Sequence, residues 1–234
     1  MNQSLFYLLA SVATLSMIPP LIVAARRWSM LPRARQFLAA QVALAFVMDA
    51  GMFALGRMGL NNLWIAHIGE PLQTALILCG FSFWQRHEVA RLALRVSVPL
   101  VLMLWLTLTI GFENATQFSR FSAPFQSILL VAVAAYTVVT CAAVATDPLP
   151  LHDWFWFGVG IMLYYGTYAI VEPVSQLLIP SAPGRVWTIF GVRAIIAVFV
   201  NLLYLKGMLC RVTPPSFGGF SSRPPSWSPS SSLR

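Results

Sequence analysis

The sequence predicts an all-α polytopic membrane protein with seven transmembrane helices. Hydrophobic residues make up 58% of the chain and charged residues only 9%, whereas soluble domains contain about 25% charged residues. The 234 residues divide into seven apolar runs with short connections, as expected for spans of about 20 residues. No stretch is long and polar enough to fold as a separate soluble domain.

The seven runs follow one another along almost the whole chain. Each is long enough, or nearly so, to cross about 30 Å of hydrocarbon as a helix. Their bounds are 5–25, 36–56, 63–84, 96–112, 121–145, 154–178 and 186–210. The fourth run is the shortest, and the alternative of six spans makes one run re-entrant. Prolines fall inside several runs, where we expect kinks because proline lacks a backbone donor. These are Pro19, Pro20, Pro71, Pro99 and Pro173.

Basic residues predict the orientation, because cytoplasmic connections carry an excess of arginine and lysine. Under seven spans, eleven basic residues lie on one side: Arg26, Arg27, Arg33, Arg35, Arg86, Arg91, Arg95, Lys206, Arg211, Arg223 and Arg234. The other side has Arg57, Arg120 and Arg185. We therefore place the N-terminus outside and the C-terminus in the cytoplasm. Since arginines follow the first run rather than precede it, we expect a retained span and not a cleaved signal peptide.

The predicted domains are a seven-helix transmembrane domain over 1–211 and a cytoplasmic tail over 212–234. The tail is rich in proline and serine, cannot bury a core and is expected to be disordered. Phosphorylation or docking of a partner is the alternative role for it.

The net charge of +8 does not predict nucleic-acid binding. Basic residues beside membrane spans contact anionic lipid, and no basic stripe is interleaved with aromatics in a soluble segment. The cysteines, Cys79, Cys141 and Cys210, lie in or at the ends of spans and form no CxxC motif. We therefore expect no disulfide and no structural metal site.

Five ionisable side chains lie inside the predicted spans: Asp49, His67, Glu70, Glu172 and Arg193. A charge inside hydrocarbon costs roughly 3 kcal/mol, so it persists mainly where it is paired or functional. At a rise of ~1.5 Å per residue, all five lie roughly 6–12 Å from the outer boundary. They predict one outward-facing polar pocket.

Helical spacing places further polar groups on the same faces. His67 and Glu70 are three residues apart, and Tyr168 shares a stripe with Glu172. The three acids outnumber Arg193, so some acids carry protons or a cation completes the site. A proton, a metal ion or an amine would fit. The alternative is that Arg193 pairs with acids and only locks the helices together.

Other chemistries find little support. A retinal protein needs a lysine near the middle of the last helix, but Lys206 lies close to its cytoplasmic end. His67 is the only histidine expected in the polar pocket, so a metal site there would have one histidine ligand. No GxSxG, P-loop or GxGxxG motif occurs. His152 and Asp153 are expected to be plain solvent-exposed loop residues. We assign no catalytic residue, no metal and no cofactor. The sequence favours a protein that is not an enzyme.

The segment Asn61-Asn62-Leu63-Trp64-Ile65-Ala66-His67 resembles an Asn-Asn-x-Trp-x-x-His motif of uncharacterised bacterial multi-pass proteins with about seven helices. The resemblance covers about twenty residues around the third span. It implies a bacterial origin and an inner-membrane location, and it brings no activity with it.

These observations predict a membrane protein whose polar pocket binds a small cationic or polar ligand, or a proton, for sensing or transport. The predicted site residues are Asp49, His67, Glu70, Tyr168, Glu172 and Arg193. The rival is a structural or assembly subunit, and a second rival is an enzyme using His67 and carboxylates. The expected partner is the lipid bilayer; a membrane-protein partner or a second copy of the chain is a further option.

Overall fold

The structure is a computed structural model that describes residues 3–113, 116, 119–181 and 183–210, with the backbone alone at 3, 176, 177, 179–181 and 183–185. The predicted tail over 212–234 lies outside the described residues. Within them the regular elements are helices and no strand occurs, which confirms the all-α prediction. The helices are α1 (Gln3–Leu15), α2 (Ile18–Arg26), α3 (Arg33–Arg57), α4 (Leu63–Ser82), α5 (Glu88–Gly111), α6 (Ser122–Ala142), α7 (Asp153–Ser181) and α8 (Pro183–Leu209).

Six helical segments of the described chain are long and apolar enough to cross a membrane: Ser4–Arg26, Arg33–Arg57, Glu88–Gly111, Ser122–Ala142, Asp153–Ser175 and Val186–Leu209. These six helices are consistent with the predicted multi-pass membrane protein. Helix α4 coincides with the third predicted span but is not among the six. His67, Glu70 and Gln73 lower its mean hydropathy, so its crossing stays a prediction.

Helices α3, α4, α6, α7, α8 and α2 close into a ring in which each packs against the next. Helix α4 packs against α3, α5 and α6, and α7 packs between α6 and α8. Helix α8 contacts α1 and α2, and α2 returns to α3. Helix α5 lies outside this ring, and in this fully described helix only Val101 is buried. Helix α4, which carries His67, Glu70 and Gln73, thus packs against three helices, whereas most of α5 faces outward.

The first predicted span is broken in the middle. Pro19 and Pro20 lack the backbone donors that would continue the helix across residues 16 and 17, so α1 ends at Leu15 and α2 begins at Ile18. The side chain of Asn201 on α8, which is 4% exposed, donates from Nδ2 to the Ser16 hydroxyl at 2.8 Å and to the Ala13 carbonyl at 3.3 Å. The Ala13 carbonyl also accepts from the Ser16 hydroxyl at 2.6 Å, so one amide from α8 joins both partners of this contact at the break.

Helix α5 begins eight residues before the predicted fourth run, so that run is not the shortest span. Its 24 residues include Arg91 and Arg95, which the hydropathy pattern excluded. Arg91 Nη2 donates to the Gln85 carbonyl at 3.1 Å, and Arg95 Nε donates to the Ser82 hydroxyl at 3.4 Å. These two contacts join the first turns of α5 to the end of α4 and to the connection that follows it.

The end of the bundle that carries the starts of α3, α5 and α7 is called the basic end here. There Arg35, which is 2% exposed, donates from Nε to Asp153 Oδ2 at 2.5 Å and from Nη1 to the Cys210 carbonyl at 2.7 Å. The expectation that Asp153 is a plain solvent-exposed residue is wrong. It joins α7 to α3, and Arg35 also holds the end of α8.

An apolar layer separates the basic end from the middle of the bundle. Its side chains come from α3, α4, α6 and α7 and are at most 1% exposed. They are Leu38, Ile77, Phe81, Leu130, Phe157 and Ile161. Such a layer keeps water and ions away from the cross-helix contacts on either side of it.

The contact between Asn201 and the break in the first span predicts a stability effect. Asn201→Ala leaves the Ala13 carbonyl without its partner from α8, so the free energy of unfolding should fall by about 1–2 kcal/mol. Thermal or denaturant unfolding in nanodiscs measures the change. The neighbouring Leu202, which is 54% exposed, provides the control Leu202→Ala. Equal stability of both variants would contradict this role for Asn201.

Candidate functional site

The central contact of the site joins α4 to α7. The Tyr168 hydroxyl donates a short hydrogen bond to Glu70 Oε1, and the same hydroxyl interacts with Glu172, one turn further along α7. Glu172 is 3% exposed. The second oxygen of each carboxyl group, Oε2 of Glu70 and of Glu172, is buried and has no hydrogen-bond partner among the described residues. The carboxyl groups of Glu70 and Glu172 therefore share the Tyr168 hydroxyl.

Tyrosine side chains, rather than acids, make the close contacts of Arg193. Its Nη2 donates to the Tyr164 hydroxyl at 3.1 Å. The guanidinium carbon lies 4.3 Å from the ring centroid of Tyr168 and 5.7 Å from that of Tyr164. The two rings are nearly parallel, with centroids 6.3 Å apart. A cation above an aromatic face is attracted by the ring quadrupole, so these rings position the guanidinium.

Arg193 interacts with the acids electrostatically at longer range. It attracts Asp49 on α3, Glu70 on α4 and Glu172 on α7 electrostatically. Among the described residues, no carboxylate oxygen lies within 4.0 Å of its guanidinium nitrogens. Arg193 therefore provides a positive field over the cluster without forming a close ion pair in this structure.

His67 lies at the edge of the cluster, beside an acid that the sequence interpretation missed. Its Nδ1 is 3.9 Å from Glu113 Oε2, and a protonated His67 also attracts Glu172. Glu113 lies in the connection between α5 and α6. Because it is outside the apolar runs, a search for charges within spans could not find it.

Glu113 caps the start of α6. Its Oε1 accepts from the amides of Phe121 at 2.7 Å and Ser122 at 2.8 Å, and from the Ser119 hydroxyl at 3.0 Å. The Ser122 hydroxyl donates to Oε2 at 2.7 Å. Burial raises the pKa of the Glu113 carboxyl, but the hydrogen bonds from Ser122, Phe121 and Ser119 outweigh it and hold the pKa below its ordinary value. Glu113 is therefore a charged residue at neutral pH.

A small cavity of about 20 Å³ adjoins the site towards the middle of the bundle. Its polar lining includes Gln41, Gln73, Tyr164, Asn201 and Tyr204. Gln41 Nε2 donates to Gln73 Oε1 at 3.1 Å, while Gln41 Oε1 is buried without a partner among the described residues. The cavity has room for about one water molecule. None of the six predicted site residues lines it.

The structure places the six predicted residues in one interacting group on α3, α4, α7 and α8. Glu70, Tyr168, Glu172 and Arg193 form its centre, and Asp49 and His67 lie at its edges. The sequence interpretation missed Tyr164, although this residue is four positions before Tyr168 and therefore on the same face of α7. Within the described chain, no three His, Cys, Asp or Glu side chains are grouped so as to hold a metal ion.

The cap formed by Glu113 predicts a pH dependence. Since its pKa is lowered on folding, its contribution is complete above the ordinary value of 4.5 and is lost as the pH falls through the folded-state pKa. Glu113→Gln should reduce the free energy of unfolding by about 1–2 kcal/mol at pH 7, and by progressively less below pH 4.5. Asp147→Asn, in an exposed connection, is the control. A pH-independent difference would contradict the cap.

Comparison with known proteins adds no relative. No family model matches the chain. No curated protein and no solved structure matches it either. The resemblance of residues 61–67 to bacterial multi-pass proteins stays a prediction.

Proposed function

We propose that the chain is a bacterial inner-membrane protein with seven spans, its N-terminus outside and its C-terminus in the cytoplasm. Its buried acid cluster binds a proton, or a small cation in its place, for sensing or transport. The observation that carries the proposal is the group of Glu70, Tyr168 and Glu172. Both carboxyl groups have a buried oxygen without a partner in the described part of the chain, and one phenol lies between them.

The hydrogen-bonding capacity of this group is incomplete without a further proton. A phenol has one proton to donate, and an ionised carboxylate can only accept. Tyr168 donates to Glu70 and so has no second proton for Glu172. A proton on Glu172 would turn that carboxyl into a donor to the oxygen of Tyr168. Proton binding therefore satisfies the contact that the ionised state leaves open.

The charge balance favours the same occupant. Asp49, Glu70 and Glu172 bring three acids to the cluster, and Arg193 is its permanent cation. Buried charges without close partners are costly, and the guanidinium is held by tyrosines rather than by a carboxylate. Binding one proton or one small cation reduces the excess of negative charge.

The position of the cluster favours one direction of exchange. The cavity of about 20 Å³ on its inner side, lined by Gln73 and Tyr164, has room for about one water molecule. The apolar layer lies between the cluster and the basic end. We therefore expect exchange through the opposite end, where Glu113 and the α3–α4 connection lie.

A structural role is the second candidate, because the contact between Tyr168 and Glu70 and that between Arg193 and Tyr164 tie α4, α7 and α8 together. Both candidates predict that these contacts stabilise the bundle. They differ in whether a carboxyl group of the cluster exchanges a proton.

Infrared difference spectroscopy distinguishes the two. In nanodiscs, a pH titration of the wild-type protein should show the carbonyl stretch of a buried carboxyl group gaining and losing a proton. Glu172→Gln should remove or strongly reduce this band while the protein stays folded, and Glu70→Gln should shift or reduce it. The exposed Glu88 at the basic end provides the control Glu88→Gln, which should retain the band. Absence of a titrating band in the wild type, or an unchanged band in both glutamine variants, would contradict proton binding and favour the structural role.

A further inference from the structure

A second cavity lies at the basic end, on the far side of the apolar layer from the acid cluster. It has a volume of about 330 Å³ and is bounded by the end of α2, the turn at Trp28–Met30, the start of α3 and the end of α8. Arg27 and Arg35 form its polar side, and Met30, Leu31, Met208 and Leu209 form most of the rest. It is thus both cationic and apolar.

The charge of this cavity comes from Arg27. Arg35 is already neutralised by Asp153 and forms part of the wall. The side chain of Arg27 is exposed, and Arg26, Arg33 and Lys206 lie on the same end of the bundle. An anion beside Arg27 would therefore enter a region of positive potential.

The apolar side of the cavity continues onto the surface that faces lipid. Met30 is 76% exposed and Leu209 is 46% exposed, and Trp28, an aromatic residue typical of membrane interfaces, is 48% exposed. A soluble anion would leave this apolar surface without a partner. An amphipathic anion would contact both sides of the cavity at once.

We propose that this cavity binds an anionic phospholipid, with the headgroup phosphate against Arg27 and the beginning of an acyl chain along Met30 and Leu209. Basic cavities between spans are suited to such headgroups. The segment 211–234 is the other occupant to consider, since it follows Cys210. It contains three arginines and no acid, so its charge has the same sign as that of the cavity. The proposal is independent of the acid cluster.

Native mass spectrometry of the full-length protein with phosphatidylglycerol and phosphatidylcholine of equal chain length tests the proposal. The wild type should bind phosphatidylglycerol in preference. Arg27→Gln should weaken that binding about fivefold, which corresponds to about 1 kcal/mol for one basic residue near an anionic headgroup. The matched control Arg26→Gln removes the same charge from the adjacent residue, which does not line the cavity, and should change the affinity less than twofold.

Three outcomes would overturn the proposal. Equal losses in Arg27→Gln and Arg26→Gln would indicate diffuse attraction rather than a site. Competition by inorganic phosphate that fully displaces the lipid would indicate a site for soluble anions. Loss of the preference in a full-length variant with Arg223→Gln and Arg234→Gln would place the lipid contact in the segment 211–234. Retention of the preference in that variant, without displacement by phosphate, would support the cavity.

Discussion

The fold depends on the polar side chains of α4. Hydrocarbon offers no hydrogen-bond partner, so a membrane-length helix with such side chains must be enclosed by protein. Four of them meet polar groups on four different elements. His67 lies beside Glu113 of the α5–α6 connection, Glu70 binds Tyr168 of α7, Gln73 binds Gln41 of α3, and Thr74 binds Gln126 of α6. These pairs require α3, α6 and α7 to surround α4, whereas α5, whose only buried side chain is Val101, can remain outside.

Buried polar contacts and an apolar layer follow one another along the length of the bundle. The acid cluster occupies one half, the apolar layer follows, and the ion pair of Arg35 with Asp153 holds the basic end. Buried polar contacts on both sides of a dry layer fix the relative positions of the helices, because each would be costly to break. The cluster differs from the basic end in one respect that matters for function. The bond of Asp153 to Arg35 pairs opposite charges, whereas Glu70 and Glu172 each retain a buried oxygen that no described residue contacts by a hydrogen bond.

Hydropathy predicted the helical runs, apart from the break after Leu15 and the earlier start of α5. The helical rise predicted similar depths for the acids, which is consistent with their meeting in one group. The sequence was insufficient for partners across helices, since periodicity identifies a face but not the residue opposite. The contact of Asn201 with the break at Ser16 depends on the packing of α8 against α1, which periodicity does not predict. The partner of Asp153, Arg35, is 118 residues away in the chain, so the partial burial of Asp153 does not follow from the local sequence. Glu113 could not be found from hydropathy, since it lies in a connection.

Helix α4 crosses the membrane in the seven-span arrangement that we propose, and labelling of single introduced cysteines tests this crossing. Leu60→Cys and Arg86→Cys place thiols at exposed positions just before and just after α4, and the wild-type chain with its natural cysteines gives the background. In intact cells, a membrane-impermeant maleimide should label position 60. Position 86 should react only after the membrane is permeabilised. Labelling of both positions from the same side would show that α4 is re-entrant and would contradict the seven-span account.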